Sequence, residues 1–528
     1  MKSCQGANFD KKNLVWEVPL LNLAYLLDRV VAIDDVELQI LKDKKVVKLE
    51  YKQTVESSVK LFKHQEEAVQ FGLQNPKWLL LDAPGLGKTL SIIRLAEELK
   101  QREGIKHCLI ICGINTLKSN WKNEIEKFSN LSAVIIGQHI ASSGKEYMRS
   151  TKERAEQLKN PIDEFFVITN VESLREDSVV TAINKGKNSF DMIVVDEVHC
   201  CKSPTSQQGK NLLKVNKSKY QVGATGTLLL NNPMDTYVPL KWIGVEKSTF
   251  SNFKYYYCEY GGPFNNVLLG FKNTRQLKDQ IEQFSLRRTK DLLDLPPKTV
   301  IDEFVEMEPS QNSFYNNIKE GIIEQVDKVR MSTSNLLAMV TRLRQATEYP
   351  PILTTQKIQS AKLERCIDLA EQILSDPQEK VVIFSVFKEG LNEIFERLQQ
   401  YNPLLCTGDV DDGEISKNRV MFQTDDFHRV MICTCQKMGT GVTLNRAHYA
   451  IFISTPWTEG VQTQCEDRVH RIGTDQKVFI YRLWTKNTID ERVLDLINTK
   501  GALSDYIIDD AISEQALLIL RQYIEELK

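Results

Sequence analysis

The sequence predicts an α/β fold of two tandem lobes, each built on a parallel sheet and joined by a helical inter-lobe region. Three observations carry this. From Leu61 onward, short apolar runs (KWLLLDA, CLIICG, FFVITN, MIVVDE, YQVGATG) alternate with amphipathic stretches. Strand-sized apolar runs separated by helical patterns indicate βαβ units around a sheet buried on both faces. A second series begins near Lys380 with VVIFSVF, VMICTC, AIFISTP and VFIYRLW. Finally, 528 residues exceed what one hydrophobic core organises.

The expected division is an N-terminal accessory segment (1–60), a first lobe (61–244), a mostly helical protrusion and linker (245–357), a second lobe (358–498) and a C-terminal helical brace (499–528). Within 1–60, LKDKKVVKLEYKQ alternates like an edge strand. No internal repeat is present.

Composition narrows the class without naming an activity. Hydrophobic residues make up 42% and charged residues 26%, an ordinary globular balance. No apolar run reaches the roughly 18 residues of a membrane span, and the N-terminus lacks the apolar centre of a secretory signal. A cytoplasmic protein is expected: nucleoid-associated in a prokaryote or virus, nuclear in a eukaryote. The eleven cysteines show no paired CxxC spacing and read as reduced, mostly buried thiols. A net charge of −2 excludes a polybasic binder, although a local basic groove is enough for phosphate contacts.

The most informative stretch is Asp82-Ala83-Pro84-Gly85-Leu86-Gly87-Lys88-Thr89, between an apolar strand (Leu79–Leu81) and an amphipathic helix (Leu90, Ile93, Ala96, Leu99). Gly85 and Gly87 let the loop curl so that N–H groups point inward at a phosphate. The helix N-terminus adds its partial positive charge. Lys88 is expected to reach the β- and γ-phosphates and Thr89 to hold magnesium. Asp82 stands where the generic P-loop pattern has its first glycine. Downstream, the strand Met192–Val195 runs into Asp196-Glu197-Val198-His199. Asp196 is placed to bind magnesium through water, and Glu197 to orient or deprotonate the attacking water. Further on, Arg468 and Arg471 are expected on one face of a helix, as arginine fingers for the γ-phosphate supplied by the second lobe.

These residues carry a resemblance to the Swi/Snf-type family of superfamily-two, helicase-like, DEAH-box ATPases, from Leu61 to about Val493. LFKHQEEAVQFGL resembles the adenine-recognising entry motif, DAPGLGKTL the P-loop, NTLKSNWKNEIEKF the following helix motif, DEVHCCKS the DEAH box, and GATGTLLLNN the motif coupling ATP to DNA. FSLRRTKDLLDLPPK and RLRQATEYP resemble the family's inter-lobe markers. EKVVIFSVFKEGLNEIFERL, CQKMGTGVTL and QCEDRVHRIGTDQ resemble its second-lobe motifs. WEVPL, YYYCEYGGPF and GTGVTL are most similar to the compact annealing-helicase branch. Departures from the family pattern are Leu228 for proline, Ser454 for aspartate, Thr458-Glu459 for Asn-Pro and Thr474 for glutamine.

The resemblance implies tandem RecA-like P-loop lobes and an ATP-dependent translocase on double-stranded DNA that remodels forks, junctions or bound protein. It implies ATP and Mg2+ as cofactors. Gln65 would contact adenine, Asp82 to Thr89, Gly439 and Gln464 would bind nucleotide, and Trp121, His199, Thr225, Gly226, Thr227 and Trp457 would couple to DNA. Implied partners are double-stranded or forked DNA and a nuclease or replication or repair protein, with no membrane. The competing readings are a strand-separating or RNA-directed helicase, a nucleotide-gated clamp, and the motor subunit of a nuclease or defence complex. FKYYYCEY (253–260) reads as a packing cluster, with base stacking the alternative. Lys210, Lys214, Lys217 and Lys219 read as a solvated face, with phosphate contact the alternative.

Overall fold

The computed structural model describes residues 8–10, 15–17, 53–55, 59–113, 115–140, 146–226, 233–261, 267–292, 295–328, 333–438, 443–456, 459–471, 473–498, 507–508 and 511–512. The chain divides into two compact units, Met1–Lys290 and Asp291–Lys528.

In the first unit, helix α1 (Lys63–Gln74) leads into strand β1 (Lys77–Leu80) and helix α2 (Lys88–Glu103). Strand β2 (His107–Cys112) and helix α3 (Asn115–Phe128) follow, then β3 (Ala133–Ile135), β4 (Phe166–Asn170), β5 (Phe190–Asp196), helix α4 (Gln207–Lys214) and β6 (Tyr220–Ala224). Helix α5 (Phe250–Tyr257), the hairpin β7 (Cys258–Gly261) and β8 (Val267–Phe271), helix α6 (Thr274–Gln283) and β9 (Ser285–Leu286) come last in the unit. The seven-stranded sheet has the order β9-β1-β6-β5-β2-β4-β3 and is parallel throughout.

Strand periodicity makes two cores from one sheet. Leu79, Leu81, Leu109 and Ile111 face one side, where Val195, Val198 and Leu212 pack. Leu80, Cys108, Ile110 and Cys112 face the other, against Ile92, Ile93, Ala96 and Trp121. Each buried aliphatic side chain contributes about 1.5–3 kcal/mol. Phe253 and Tyr257 of the aromatic run are fully buried in the first of these cores, so that run packs as expected, while Tyr255 stays 80% exposed.

The second unit repeats the plan. Its elements are β10 (Lys298–Val305), α7 (Pro309–Lys328), α8 (Thr333–Glu348), α9 (Ala361–Leu374), β11 (Val381–Ser385), α10 (Lys388–Arg397), β12 (Leu404–Cys406), α11 (Asp412–Thr424), β13 (Val430–Thr434), β14 (Tyr449–Phe452), α12 (Glu459–Val469), β15 (Val478–Thr485) and α13 (Ile489–Asn498). The order β10-β15-β14-β11-β13-β12 is again all parallel. Both units are parallel-sheet α/β lobes, as the strand spacing predicts and as the tandem RecA-like lobes implied by the resemblance require.

Segment 245–357 holds the four helices α5 to α8, in keeping with the helical reading, and adds strands to it: the β7–β8 hairpin, β9 in the first sheet and β10 in the second. The missed signal is in KTVIDEFV, whose side chains alternate between exposed and half-buried, the signature of a strand on a sheet edge. Of the proposed C-terminal brace, Ile507–Ile508 and Ala511–Ile512 pair as antiparallel strands, and the other residues beyond Asn498 lie outside those described. The edge-strand reading of LKDKKVVKLEYKQ also falls outside them, save Gln53. Among the described residues, no helix is long and apolar enough to cross a membrane.

Candidate active site

In the first lobe, β1, β6 and β5 lie side by side with Leu80, Ala224 and Asp196 level across the sheet. Their carboxyl ends therefore bring the 82–89 loop, Thr225-Gly226 and Asp196-Glu197 to one rim, where α/β sheets bind ligands. The loop curls through Gly85 and Gly87, whose φ angles of 88° and 78° are left-handed. Helix α2 starts at Lys88, so the positive end of its dipole lies at the loop.

Each limb of the loop is held. Lys88 Nζ donates to the Asp82 carbonyl at 2.8 Å and to the Ala83 carbonyl at 3.5 Å. The Asp82 carboxylate is buried and accepts two bonds from Arg288, Nε at 2.9 Å and Nη2 at 2.7 Å. His64 Nε2 lies 2.9 Å from the Leu86 carbonyl. Gln65, expected at adenine, is buried and donates through Nε2 to the Leu86 and Gly87 carbonyls at 3.4 and 3.5 Å. Pro84 is half-buried above Gly226, where an added Cβ would sit 2.7 Å from the proline ring and 3.1 Å from Lys88 Nζ. The proline ring therefore leaves no room for a side chain at 226.

The acidic pair is oriented as closely. Trp121, expected among the DNA-coupling residues, is 1% exposed, and its indole N–H donates to Asp196 Oδ2 at 2.9 Å. It faces the acidic pair and not solvent. Burial and the neighbouring Glu197 push the Asp196 carboxyl up to about 6, against the Trp121 bond and the Lys88 charge. Glu197 has φ 52°, a left-handed conformation rare outside glycine and frequent at functional sites. Gly113, at the end of β2, makes room for it: a Cβ there would be 3.1 Å from Glu197 Cβ.

His199 joins this pair to the next segment. Its Nδ1 lies 2.9 Å from Thr225 Oγ1 and 3.3 Å from Glu197 Oε2, and Thr225 Oγ1 donates to Glu197 Oε2 at 3.4 Å. Burial disfavours the imidazolium, yet contacts with Cys200 and Glu197 outweigh it and raise the His199 pKa. Lys202, trailing the acidic box, pairs with Asp235 at 3.1 Å.

These residues fit a nucleoside triphosphate with magnesium: a left-handed glycine loop, an ammonium, a hydroxyl at a helix start, and two crowded carboxylates that a divalent cation would relieve. Lys88, Thr89, Asp196 and Glu197 are brought to one rim, with Gln65 at its edge. Thr227, Gly439 and Trp457 lie outside the described residues.

In the second lobe Gln464 and Arg468 are buried on α12. Arg471 is not on that helix, which corrects the expectation of one shared face. The helix ends at Val469, and Thr474 closes the turn: its Oγ1 donates to the Val469 carbonyl at 3.0 Å and accepts from the Arg471 N–H at 3.1 Å. The acidic neighbour Glu466 turns away from the arginines to Lys298 and Arg482, each at 2.7 Å. Ser454 Oγ lies 3.0 Å from Ser385 Oγ and accepts from the Val386 N–H at 3.1 Å. Ser385 donates to Glu348 Oε1 at 2.5 Å, so RLRQATEYP anchors the ends of β11 and β14.

Of the lysines Lys210, Lys214, Lys217 and Lys219, three are engaged inside their own lobe: Lys214 pairs with Asp177, Lys219 with Glu103, and Lys217 donates to the Asn184 carbonyl. Sequence reading missed the partners of His64 and Arg288 and the need for Gly113. Arg288 was visible in FSLRRTK, but its carboxylate lies 206 residues away.

A family model described as the SNF2-related domain matches residues 56–352, and the helicase conserved C-terminal domain matches residues 361–473. The "Uncharacterized ATP-dependent helicase" of Mycoplasma pneumoniae is 27% identical over 460 residues, covering 85% of this chain and 42% of that protein. DNA repair and recombination protein RDH54 of Saccharomyces cerevisiae is 28% identical over 486 residues, covering 82% and 51%. The chain spans between about a third and a half of the length of the curated relatives it matches. The solved Sulfolobus solfataricus SWI2/SNF2 ATPase core in complex with dsDNA shares 23% identity at a TM-score of 0.40, covering 91% of this chain and 98% of that one. With its SNF2-related model alone spanning more than half of the residues, the chain belongs to the SNF2-related family of helicase-type ATPases.

Proposed function

We propose that the chain is an ATP-driven motor that moves along double-stranded DNA and remodels forks, junctions or bound protein. The observation that carries the reading is the His199–Thr225–Glu197 linkage. It ties the residue expected to handle the attacking water to the segment after β6, so a change at the nucleotide is felt in the neighbouring strand end. Family membership supports DNA as the track.

Lys88 supplies positive charge to the β- and γ-phosphates, and the N-terminus of α2 supplies N–H donors. Thr89 and Asp196 would hold a magnesium ion, Asp196 through water, with Trp121 fixing the Asp196 carboxylate. When bound, the ion neutralises charge on the phosphates. Glu197 orients water and takes its proton at a carboxylate oxygen. Arg468 and Arg471 are the guanidinium candidates for neutralising charge on the γ-phosphoryl oxygens during transfer.

The test is ATP turnover measured in parallel with single-stranded, duplex and forked DNA and with RNA. Stimulation by duplex or fork is expected. Turnover that responds only to single strands or RNA would replace this reading with a strand-separating or RNA-directed helicase.

A further inference from the structure

The P-loop is gripped from outside by a residue that the phosphate chemistry does not require. Arg288 lies just past β9, on the last stretch of the first unit, which ends at Lys290. Its guanidinium is about 10% exposed, lies 3.5 Å from Glu67 Oε2 through Nη1, and makes three hydrogen bonds. Nε and Nη2 take both oxygens of the Asp82 carboxylate, 1% exposed on its side chain, in a bidentate pair. Nη1 donates to the His64 carbonyl. Its own main-chain carbonyl accepts the Ala83 N–H at 2.9 Å, continuing the β9–β1 pairing in which Leu81 N–H donates to the Leu286 carbonyl at 2.7 Å.

The consequence is a closed frame. Arg288 holds the first limb of the loop through Asp82 and Ala83. It also holds the start of α1 through His64, and His64 Nε2 in turn holds the second limb at the Leu86 carbonyl. Lys88 bonds to the Asp82 carbonyl, the same residue whose carboxylate Arg288 grips. A shift of Asp82 is therefore felt both by the phosphate-binding lysine and by the segment through which the chain leaves the first lobe.

We infer that Arg288 is a positioning residue for the nucleotide loop, setting its curvature for triphosphate binding through Asp82 and linking nucleotide occupancy to the segment 284–290. Lysine cannot replace it, because a point charge lacks the fork that fills both carboxylate oxygens. The inference rests on the reading of the 82–89 loop as the nucleotide site.

The experiment measures binding of a fluorescent ADP analogue to the full chain without DNA, alongside steady-state ATP turnover. The variants are Arg288→Gln, Arg288→Lys, Asp82→Asn and the double Asp82→Asn/Arg288→Gln. The expected result is analogue binding weakened by about tenfold or more in each single variant, Arg288→Lys included, with the rise in KM for ATP exceeding the fall in kcat. The double variant should bind no worse than the worse single one, because both remove the same link. Analogue affinity in Arg288→Gln and Arg288→Lys equal to the parent's, or additive losses in the double variant, would overturn the inference. Failure of the parent chain to bind the analogue at all overturns the nucleotide site itself. Far-ultraviolet circular dichroism sorts out misfolding, and Arg288→Lys, which keeps the buried charge, retains the test if Arg288→Gln does not fold.

Discussion

The two lobes share an architecture and differ at their strand ends. In the first lobe, the groups at the ends of β1, β5 and β6 are each held by a side chain from elsewhere in the lobe. Asp196 is fixed by Trp121, Asp82 by Arg288, and Thr225 is shared by His199 and Glu197. In the second lobe, the comparable region is tied into itself. Ser385, Ser454 and Glu348 bond to one another, Arg344 donates to the Thr455 carbonyl, and Lys362 pairs with Asp490 at 2.5 Å, both nearly fully buried. The difference teaches that the parallel sheet supplies a scaffold and the loops decide its use.

The contrast is broken most directly at the ligand side. Lys88→Ala and Glu197→Gln should each lower ATP turnover at least about a hundredfold, because each removes a separate charged contact in the transition state. Circular dichroism and melting should stay near the parent's. Near-normal turnover in either variant would refute the site.

On the frame side, Lys362→Met leaves Asp490 buried without its cation. Breaking such a pair typically costs about 3–5 kcal/mol, to be read as a lowered urea midpoint of the second lobe's transition.

A smaller effect is expected with acid. Burial alone would raise the Glu466 carboxyl, but the charges of Lys298 and Arg482 outweigh it and hold the pKa below the ordinary 4.5. A depressed carboxylate stabilises the fold above its unfolded pKa and loses that contribution as pH falls through the folded value. The second lobe should therefore lose stability on acidification below about pH 4.5, and Glu466→Gln should flatten that part of the profile. Melting curves between pH 3 and 6 decide it; an unchanged slope in the variant would remove the ion triad from the account.

The smallest effect belongs to the solvated face. Lys214 and Asp177 are both more than half exposed, and surface pairs of this kind contribute little. Lys214→Ala should leave the unfolding midpoint and the duplex-stimulated turnover within error. A clear loss of DNA stimulation would move this face from solvated helix to phosphate contact.

The elements that were easiest to read were those whose signal is local. The 82–89 loop is legible because glycine placement, the preceding apolar strand and the following helix are neighbours in the chain. The Asp196-Glu197 pair at the end of β5 is legible for the same reason. The course of 245–357 was harder, because a short edge strand such as β10 competes with flanking helical stretches and shows its pairing only once β15 lies beside it. The arginine helix was misjudged at its end: a turn closed by one threonine hydroxyl separates Arg468 from Arg471.

By itself, the sequence determined the two parallel-sheet lobes, the phosphate loop and the acidic strand end, since periodicity and glycine geometry act over a few residues. Only the tertiary structure decided which distant groups hold them: Arg288 on Asp82, Trp121 on Asp196, Thr225 on His199 and Glu348 on Ser385. Those partners are set by which strands become neighbours in the sheet, and strand order depends on burial summed over the whole lobe, which no local spacing encodes.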